Sequence, residues 1–445
     1  MKVLFSNLPW WEEKKRTISR RRWRSGVRAG SRWPFTQMVK SSPDKFVFGD
    51  YLPYPFFMGY AVTYAKQKTD AEVVFRDSIA LAESYDTYFD HLKTEKYDYI
   101  FIESATPSWE HDSQIILQIN KHFPDTKLVV TGSISSAKAE EILEDYPVHA
   151  CIKGEYEKGS VRVINGASGI IEHDLLTLDE MNAAPFPYYD EIYAHRYSDS
   201  NPIGQKFPHA HVWSSRGCPF KCIFCVWPAT MTGNDPDGSQ KRTVRHYSAD
   251  YMEAFIRELV EKYKFKSIYF DDDTFNLGNN HVLAMCEVMR KVNIPWSAMC
   301  RADTIQFDTW KVMKESGCFG VKLGFESGNQ WVIDKIVNKH LNLENAAKVV
   351  HELKRLGMSV HGTFTYGLPG ETASHMSDTR RYIDSLPFDS VQESGTAEIE
   401  GTPLHTLREK GSLKNYKEAQ MDENYQHAVD GSKKWQTIVS NLQDA

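Results

Sequence analysis

The sequence predicts an α/β protein built from two successive units, each organised around a parallel sheet. Short apolar runs of strand length alternate with amphipathic helical stretches along most of the chain, as in repeated β–α units. The length of 445 residues allows two or three domains at roughly 100–200 residues each. A tight group of cysteines at residues 218–225 stands between the two series of alternations.

The composition is that of a folded, water-soluble protein. Hydrophobic residues make up 41% and charged residues 25%, which excludes a largely disordered chain. No apolar run approaches the roughly 20 residues that span a bilayer, and Met1–Phe5 enters a strand-like run with no signal-peptide pattern. We therefore expect a cytoplasmic protein without a membrane partner.

The net charge of −6 conceals one strongly basic segment. Between Glu12 and Arg32 there are nine Lys or Arg and two Glu, a local charge of +7. Such a segment can bind nucleic acid or a membrane surface. We favour a solvated arm, or a segment that covers a polar cofactor, and expect no nucleic-acid partner.

The first 160 residues predict an open, doubly wound, Rossmann-like domain, in which ligands sit over the carboxyl ends of the strands. Its strand-like runs are Val3–Phe5, Glu72–Phe75, Tyr99–Ile102, Leu128–Thr131 and Ala150–Ile152, with helical stretches such as Met58–Lys66 and Ser113–Lys121 between them. The residues after these strands are small and polar: Ser104, Thr106, Ser108, Gly132, Ser133, Gly154 and Glu155. They are candidate ligand contacts, and ordinary turn chemistry is the alternative.

The cysteines carry the strongest chemical signal. Three of the seven form a C-x3-C-x2-C array at Cys218, Cys222 and Cys225, and no second pair exists to complete the usual four-ligand zinc site. Three thiolates on one short loop suit a [4Fe–4S] cluster with one iron left without a protein ligand. The alternative is three apolar cysteines that are close by chance. Cys151, Cys286, Cys300 and Cys318 have no partner spacing and are interpreted as incidental thiols.

Repeated β–α units follow the cysteine array. A 3.6-residue apolar stripe after Ser248 predicts an amphipathic helix, and residues 267–270 form a short buried strand. A second helix ends at Gly357, and the strand Val360–Tyr366 follows at once. These units predict a parallel sheet with helices outside and ligands at the carboxyl ends of its strands.

The cysteine spacing resembles the defining motif of the radical S-adenosylmethionine (SAM) enzymes. The resemblance implies a partial (β/α)6 barrel over residues 206–405, in which the amino and carboxylate groups of SAM bind the open iron. One electron then cleaves SAM to a 5′-deoxyadenosyl radical.

Three further motifs support this resemblance, in the order that the family has them. The run Phe270–Phe275 is similar to the family's F-x-D-D-x-F, which implies that Asp271, Asp272 and Asp273 receive the SAM amino group. The run Leu323–Gly328 is similar to G-x-E-S-G, so Glu326 and Ser327 are expected at the ribose hydroxyls or the SAM carboxylate. The run Tyr366–Thr372 is similar to G-L-P-G-E-T, whose backbone at Gly367, Leu368 and Pro369 is expected to meet adenine. Arg301 is either a contact of the SAM carboxylate or a surface ion-pair residue.

The order of the N-terminal pieces resembles the cobalamin-binding domain of B12-dependent radical SAM enzymes. The resemblance implies cobalamin contacts at the small polar residues named above, a linker over 161–205, a basic insertion near 12–34 and a C-terminal region, 406–445, that closes the active site. The D-x-H-x-x-G signature of a histidine lower ligand is absent, so cobalamin is expected to bind without one. A degenerate domain that no longer binds cobalamin is the alternative. No cysteine precedes Cys151, which argues against a methylthiotransferase with its second cluster.

The resemblance implies methylation of an unactivated carbon or phosphorus centre of a small molecule, with an external one-electron reductant of the flavodoxin or ferredoxin type. The cofactors carry this chemistry, and no catalytic side chain is assigned. One alternative is a cobalamin-dependent rearrangement, cyclisation or oxidation, and another is SAM-dependent hydrogen abstraction beside a vestigial domain. An iron–sulfur electron carrier or sensor is a further alternative.

Overall fold

The structure, a computed structural model, describes residues 1–9, 51–199, 206–231, 242–396 and 398–411, together with the backbone of short strands at 11–14, 22–25 and 39–40. The chain divides into two compact units. Residues 1–199 and 229–231 belong to the first unit, and residues 206–228 and 242–411 belong to the second. In the described part of the chain, no helix is both long and apolar enough to cross a membrane.

The first unit contains eleven described strands and seven described helices. In chain order they are β1 (Lys2–Asn7), β2 (Trp11–Lys14), β3 (Arg22–Ser25), β4 (Val39–Lys40), β5 (Tyr51–Leu52), α1 (Phe56–Lys68), β6 (Glu72–Asp77), α2 (Ser78–Leu81), α3 (Tyr85–Glu95), β7 (Tyr99–Glu103), α4 (Thr106–His122), β8 (Lys127–Thr131), α5 (Ser133–Asp145), β9 (Ala150–Ile152), α6 (Glu157–Ile164), β10 (Gly169–Ile171), α7 (Leu178–Ala183) and β11 (Ser198–Asp199).

A six-stranded parallel sheet forms the centre of the first unit, in the order β10-β9-β8-β7-β1-β6. Each of the five predicted strands is present. The chain proceeds from β1 to β6 on one side and then to β7 on the other, so the strand order reverses between β1 and β7. In doubly wound folds, this switch point opens a crevice at the carboxyl ends of the strands. Stacked rings of Phe5 and Phe101, with centroids 4.5 Å apart, join the same two strands.

The second unit contains eight strands, helices α9 to α14 and one π-helical turn in its described residues, together with the first two residues of the short helix α8, whose last two residues belong to the first unit. In chain order they are β12 (His209–Val212), β13 (Ser215–Arg216), α8 (Trp227–Thr230), β14 (Arg245–His246), α9 (Ala249–Glu261), β15 (Ser267–Phe270), α10 (Asn279–Val292), β16 (Trp296–Cys300), α11 (Phe307–Glu315), β17 (Cys318–Glu326), the π-helical turn (Val332–Ile336), α12 (Leu343–Arg355), β18 (Ser359–Tyr366), α13 (Ala373–Asp384), β19 (Ser390–Gly395) and α14 (Pro403–Glu409).

Six of these strands form a second parallel sheet in simple chain order, β12-β15-β16-β17-β18-β19. A helix precedes each strand after β12, which is the arrangement of a partial (β/α)6 barrel, as predicted. The apolar face of this sheet packs through aromatic rings, since Phe270 lies 4.7 Å from Phe275 and 5.4 Å from Trp296 between ring centroids. The helix predicted after Ser248 is α9, and the Ser248 side chain caps it by accepting from the Tyr251 N–H at 3.2 Å.

The first unit extends past the boundary predicted at residue 160. Strand β10 pairs with β9 and completes the sheet, so residues 161–199 contribute to the first unit instead of forming only a linker. Much of the basic insertion near 12–34 lies outside the described residues, as do residues 412–445 of the predicted C-terminal region. Strands β2, β3 and β4 form a small antiparallel sheet within the insertion and just after it.

Candidate active site

The three cysteines of the C-x3-C-x2-C array lie on a loop that follows β13. Gly217 begins this loop with φ +90°, a conformation that favours glycine, and the Cys225 N–H donates to the Cys222 carbonyl at 3.1 Å. Cys218 is buried, and Cys222 and Cys225 are partly buried. Burial, with the Asp273 carboxylate as a further cause, raises the pKa of the Cys218 thiol to about 11, and burial also raises the pKa of the other two thiols. Binding of iron would therefore have to displace protons from these thiols.

Other segments of the second unit fix the cysteine loop in place. The Phe220 carbonyl accepts from Arg242 Nη1 at 2.7 Å. The Ile223 N–H donates to the Val337 carbonyl at 3.0 Å, and the Ile223 carbonyl accepts from the Leu404 N–H at 2.9 Å. These contacts hold both halves of the loop, so its conformation is set by the protein.

The donor atoms of this loop fit an iron–sulfur cluster. In the described part of the chain, no three His, Cys, Asp or Glu side chains converge on one point as the ligands of a single metal ion do. A [4Fe–4S] cube makes a different demand, since each cysteine sulfur binds a separate iron. Residues 217–225 offer three thiols and no imidazole or carboxylate. The remaining four cysteines are buried in β9, α10, β16 and β17.

Asp272 has a positioning role in the loop after β15. Its carboxylate is fully buried and accepts hydrogen bonds from Ser214 N at 3.0 Å, Ser214 Oγ at 2.9 Å and Ser215 Oγ at 2.6 Å. Burial raises the pKa of Asp272 to about 7, although these hydrogen bonds act in the opposite direction. The side chain therefore ties the end of β15 to β13.

Asp271 and Asp273 lie on either side of Asp272 in the sequence. Asp271 Oδ2 is 3.6 Å from His211 Nδ1, and the Asp271 carbonyl accepts from the Trp213 indole at 2.9 Å. The charge of Asp273 contributes to the raised pKa of both Cys218 and Cys225, which places this carboxylate beside the cysteine loop. The role of these two residues as acceptors for the SAM ammonium group stays a prediction.

Arg301 is buried, so the alternative prediction of a surface ion-pair residue is wrong. Its guanidinium donates to both carboxylate oxygens of Asp303, at 2.9 and 2.8 Å, and to the Lys339 carbonyl at 3.1 Å. The same group stacks on the ring of Phe220 in the cysteine loop, 3.6 Å from the ring centroid. The Asn276 side chain bonds both the N–H and the carbonyl of Arg301, at 2.8 and 2.7 Å.

Glu326 sits at an irregular strand end. It is a non-glycine residue at φ +70°, next to a register shift between β17 and β18. Its carboxylate pairs with Lys339 Nζ at 2.7 Å and accepts from Thr365 Oγ1 at 3.2 Å. A Cβ on Gly324 would lie 2.9 Å from both Glu326 Oε1 and Lys339 Nζ, so a side chain there would force the ion pair to shift.

Ser327 and the predicted SAM segment Tyr366–Thr372 are held by contacts inside the protein. Ser327 is fully buried and its Oγ lies 3.0 Å from Thr379 Oγ1, so this side chain fixes the loop after β17. The N–H groups of Gly367 and Leu368 donate to Glu371 Oε2 at 2.8 and 3.2 Å, and Gly367 has φ +78°. Pro369 follows in the same turn. The buried Glu371 therefore fixes the conformation of this turn.

Three of the candidates in the first unit, Ser104, Ser108 and Gly132, stabilise the turns themselves. Ser104 Oγ donates to Asp112 Oδ2 at 2.6 Å and lies 3.1 Å from Ser108 Oγ, while Ser108 also accepts from the Ala105 N–H at the start of α4. Gly132 has φ +91°, and a Cβ there would lie 2.2 Å from the Ser104 carbonyl oxygen.

The next turns of the first unit are also closely packed. Ser133 is buried at the start of α5. Gly154 has φ +76° and donates its N–H to Ser136 Oγ at 2.8 Å, and the N–H of the buried Glu155 donates to the Met231 carbonyl at 2.9 Å.

Two neighbouring strand ends of the first unit carry buried polar atoms with no hydrogen-bond partner among the described residues. They are both side-chain atoms of Asn7, the last residue of β1, and Oγ1 of Thr106, the first residue of α4 and the third residue after β7. Because β1 and β7 flank the switch point, these atoms lie at the carboxyl edge where a doubly wound fold binds its ligand. Unpartnered buried polar atoms are rare in proteins, and polar groups of a ligand would satisfy them.

Sequence reasoning missed several residues of both sites, namely Asn7, Arg242, Asn276, Lys339 and Glu371. Glu371 lies inside a recognised motif and Asn7 lies two residues after the predicted strand Val3–Phe5, so position along the chain was an available signal for these two. No sequence signal marks Lys339, because its partner Glu326 lies 13 residues away across a π-helical turn.

Known proteins are similar to this chain in sequence and fold. Residues 214–383 match the family model described as the Radical SAM superfamily. An uncharacterized methyltransferase of Pyrococcus horikoshii is 24% identical over 376 residues, covering 79% of this chain and 77% of that protein. A cytidylyl-2-hydroxyethylphosphonate methyltransferase of Streptomyces wedmorensis is 29% identical over 251 residues, covering 52% of this chain but only 43% of its own length.

A solved structure supports the fold over nearly the whole chain. The radical S-adenosylmethionine methyltransferase TsrM of Kitasatospora setae, with cobalamin and a [4Fe–4S] cluster bound, superposes with a TM-score of 0.64 at 14% identity. The superposition covers 91% of this chain and 77% of that one. The predicted fold class, a Rossmann-like domain followed by a partial barrel, is confirmed.

We expect replacement of Glu371 by Gln to change how stability depends on pH. Burial raises the pKa of Glu371 from its ordinary 4.5 to about 7. Between these values the folded chain keeps a proton that the unfolded chain releases, so the free energy of unfolding falls as pH rises through this window. Glu371→Gln should remove this contribution, which is on the order of 3 kcal/mol. Urea unfolding at about pH 5 and about pH 7.5 measures the difference.

Glu315→Gln is the matched control, because the Glu315 side chain is 53% exposed. It should leave the pH dependence of the wild type in place. If the free energy of unfolding depended on pH equally in the wild type and in Glu371→Gln, the raised pKa of the buried Glu371 carboxyl would be contradicted.

Proposed function

We propose that this chain, which belongs to the radical SAM superfamily, is an enzyme that cleaves SAM and methylates a small molecule with the help of cobalamin. The observation that carries the proposal is the fixed loop of Cys218, Cys222 and Cys225, bordered by Asp273, Arg301 and the Glu326–Lys339 pair. When bound, a [4Fe–4S] cluster supplies the electron that cleaves SAM, and cobalamin supplies a cobalt that carries the methyl group. The protein binds and orients the reactants.

The residues around the cysteine loop suit the polar groups of SAM. Asp271 and Asp273 offer carboxylates to an ammonium group, and we assign Arg301 to the SAM carboxylate end because its guanidinium already lies on the loop. Glu326 offers a carboxylate to the ribose hydroxyls, and the backbone of residues 367–369 is assigned to adenine. Asp272 and Ser327 are assigned as positioning residues, because their side chains are occupied inside the protein.

Cobalamin is assigned to the carboxyl edge of the first unit. The switch point between β1 and β7, with the unpartnered atoms of Asn7 and Thr106, supports this assignment. A relative from Streptomyces tokunonensis, 24% identical over 246 residues, is named a cobalamin-dependent radical SAM methyltransferase. The segment Asn7-Leu8-Pro9, at the end of β1 and the start of the next loop, carries no D-x-H-x-x-G signature, so we propose that cobalt receives no histidine from this chain.

The substrate is proposed to be a small molecule, and the electron donor a flavodoxin or a ferredoxin. Methyltransferase names among the relatives support methyl transfer. A second outcome, cyclisation without methyl transfer, is favoured by one relative, the anaerobic magnesium-protoporphyrin IX monomethyl ester cyclase of Rubrivivax gelatinosus, 22% identical over 361 residues. Incorporation of labelled methyl from SAM into product distinguishes the two.

Alanine at any one of the three loop cysteines should abolish both the cluster and SAM cleavage. A cube that loses one of its three protein ligands is left with too few thiolates to stay bound. Iron and sulfide content, together with 5′-deoxyadenosine formed after reduction, measure the effect on the purified chain.

Cys286→Ala is the control, because Cys286 is a buried thiol of α10 outside the loop. It should retain iron and SAM cleavage. Formation of 5′-deoxyadenosine by Cys218→Ala, Cys222→Ala or Cys225→Ala would contradict the proposed cluster site.

Removal of the Thr106 hydroxyl should weaken cobalamin binding. Thr106→Val keeps the shape of the side chain but loses the buried Oγ1, so the dissociation constant should rise by up to about tenfold. Equilibrium dialysis of hydroxocobalamin against the full chain measures it. Thr94→Val, at an exposed residue of α3 whose hydroxyl donates to the Asp90 carbonyl at 2.8 Å, should bind like the wild type. Equal affinity for Thr106→Val and wild type would exclude Thr106 from the cobalamin site.

A further inference from the structure

A histidine of α10 begins a chain of hydrogen bonds that ends directly before the cysteine loop. His281 Nε2 lies 3.0 Å from Ser214 Oγ, and Ser214 Oγ donates to Asp272 Oδ1 at 2.9 Å. Ser215 Oγ donates to the same carboxylate oxygen at 2.6 Å, and Ser215 stands three residues before Cys218. The side chain of His281 is thereby connected to the start of the cysteine loop.

The protons in this chain can be assigned from its acceptors. Asp272 Oδ1 accepts three hydrogen bonds, from the N–H and the hydroxyl of Ser214 and from the hydroxyl of Ser215. An oxygen that accepts three donors carries no proton of its own, so the single hydroxyl proton of Ser214 points to Asp272. The Ser214 oxygen is then an acceptor toward α10, and His281 donates to it from Nε2–H.

Neighbouring rings fix the orientation of the His281 imidazole. The ring of His246 stacks on it with centroids 4.1 Å apart and an interplanar angle of 14°, and the ring of Phe275 lies 5.8 Å away. His246 belongs to β14, which pairs with β13. Burial, with a charge on His246 as a further cause, lowers the pKa of His281 to about 3, so its imidazole is neutral near pH 7. The stacked, neutral ring therefore presents a fixed N–H donor to Ser214.

The chain joins two separate segments of the proposed SAM site. Ser214 and Ser215 lead into the cysteine loop, whereas Asp272 lies between the two carboxylates that are assigned to the SAM ammonium group. A hydrogen bond from His281 polarises the Ser214 hydroxyl and strengthens the bond that this hydroxyl makes to Asp272. Loss of the donor would leave the oxygen of the fully buried Ser214 without its second partner, and the link between the two segments would weaken.

We propose that His281 is a positioning residue for SAM, which acts through Ser214 and Asp272 to hold the cysteine loop against the carboxylates that receive the SAM ammonium group. This inference rests on the proposed function, because it assigns a residue to the binding of SAM. His281 acts by donating one hydrogen bond, so a different side chain that donates from the same place should replace it.

A matched pair of variants separates the hydrogen bond of His281 from the volume of its side chain. His281→Gln keeps an amide N–H near the position of Nε2, whereas His281→Met has a similar length and no donor. Equilibrium dialysis of labelled SAM against the anaerobically reconstituted full chain, without reductant, measures the dissociation constant. His281→Met should raise it about three- to tenfold, and His281→Gln should stay within about twofold of the wild type. Iron and sulfide content should be unchanged in both variants, because the three loop cysteines remain.

A cavity beside His281 allows a second, independent test. It opens to solvent, has a volume of about 320 Å³ and is lined by His246, His281 and residues 277–280. Imidazole added to His281→Ala should enter this cavity and lower the dissociation constant of SAM toward the wild-type value. His351→Ala, at an exposed residue of α12, is the control and should bind SAM like the wild type with or without imidazole.

Unchanged affinity for SAM in His281→Met would overturn the role of His281. A loss of affinity that neither His281→Gln nor imidazole restores would overturn it too, because the loss would then come from disturbed packing. If His281→Met does not fold, His281→Ala with and without imidazole provides the comparison. A wild type that holds the cluster but does not bind SAM would instead count against the proposed function.

Discussion

The buried guanidinium of Arg301 is the interaction on which the site of the second unit depends. It forms two hydrogen bonds with Asp303, donates to the Lys339 carbonyl and stacks on Phe220, while Asn276 holds its backbone from both sides. One residue thus joins the end of β16, the loop after β15, the segment after the π-helical turn and the cysteine loop. Hydrogen bonds to a charged group typically contribute about 1.5–3 kcal/mol each, so these contacts fix the four segments relative to one another.

The two units place their polar groups at the same position in the fold but use different chemical groups. In each, the carboxyl ends of parallel strands gather the polar groups, because loops there face a common edge. The second unit uses buried charges, such as the Glu326–Lys339 pair, and thereby suits a zwitterionic ligand with an ammonium and a carboxylate. At the β1/β7 switch point of the first unit, the amide of Asn7 and the hydroxyl of Thr106 have no hydrogen-bond partner within the described part of the chain, and they suit the amide groups of the proposed cobalamin.

Much of the fold could be predicted from the sequence, because strands buried on both faces are continuous apolar runs that periodicity detects. The cysteine array was equally accessible, since its three ligands lie within eight residues. Side-chain roles within the motifs were less predictable. Asp272 and Asp273 are adjacent residues of the same type. Only the folded structure shows that Asp272 accepts a hydrogen bond from Ser214, whereas Asp273 lies near the cysteines. Lys339 could not be identified from the sequence. It pairs with Glu326 only in the folded chain, where Glu326 adopts a left-handed backbone conformation at the end of β17.

The central claim is that one chain binds both cofactors, the cluster on its cysteine loop and cobalamin on its first unit. The most direct test is anaerobic purification with cobalamin supplied, followed by iron, acid-labile sulfide and cobalt content per chain. The account predicts about four irons, about four sulfides and about one cobalt. Four irons without cobalt after reconstitution would contradict the proposed binding of cobalamin. A chain that holds no labile sulfide would contradict the proposed iron–sulfur cluster.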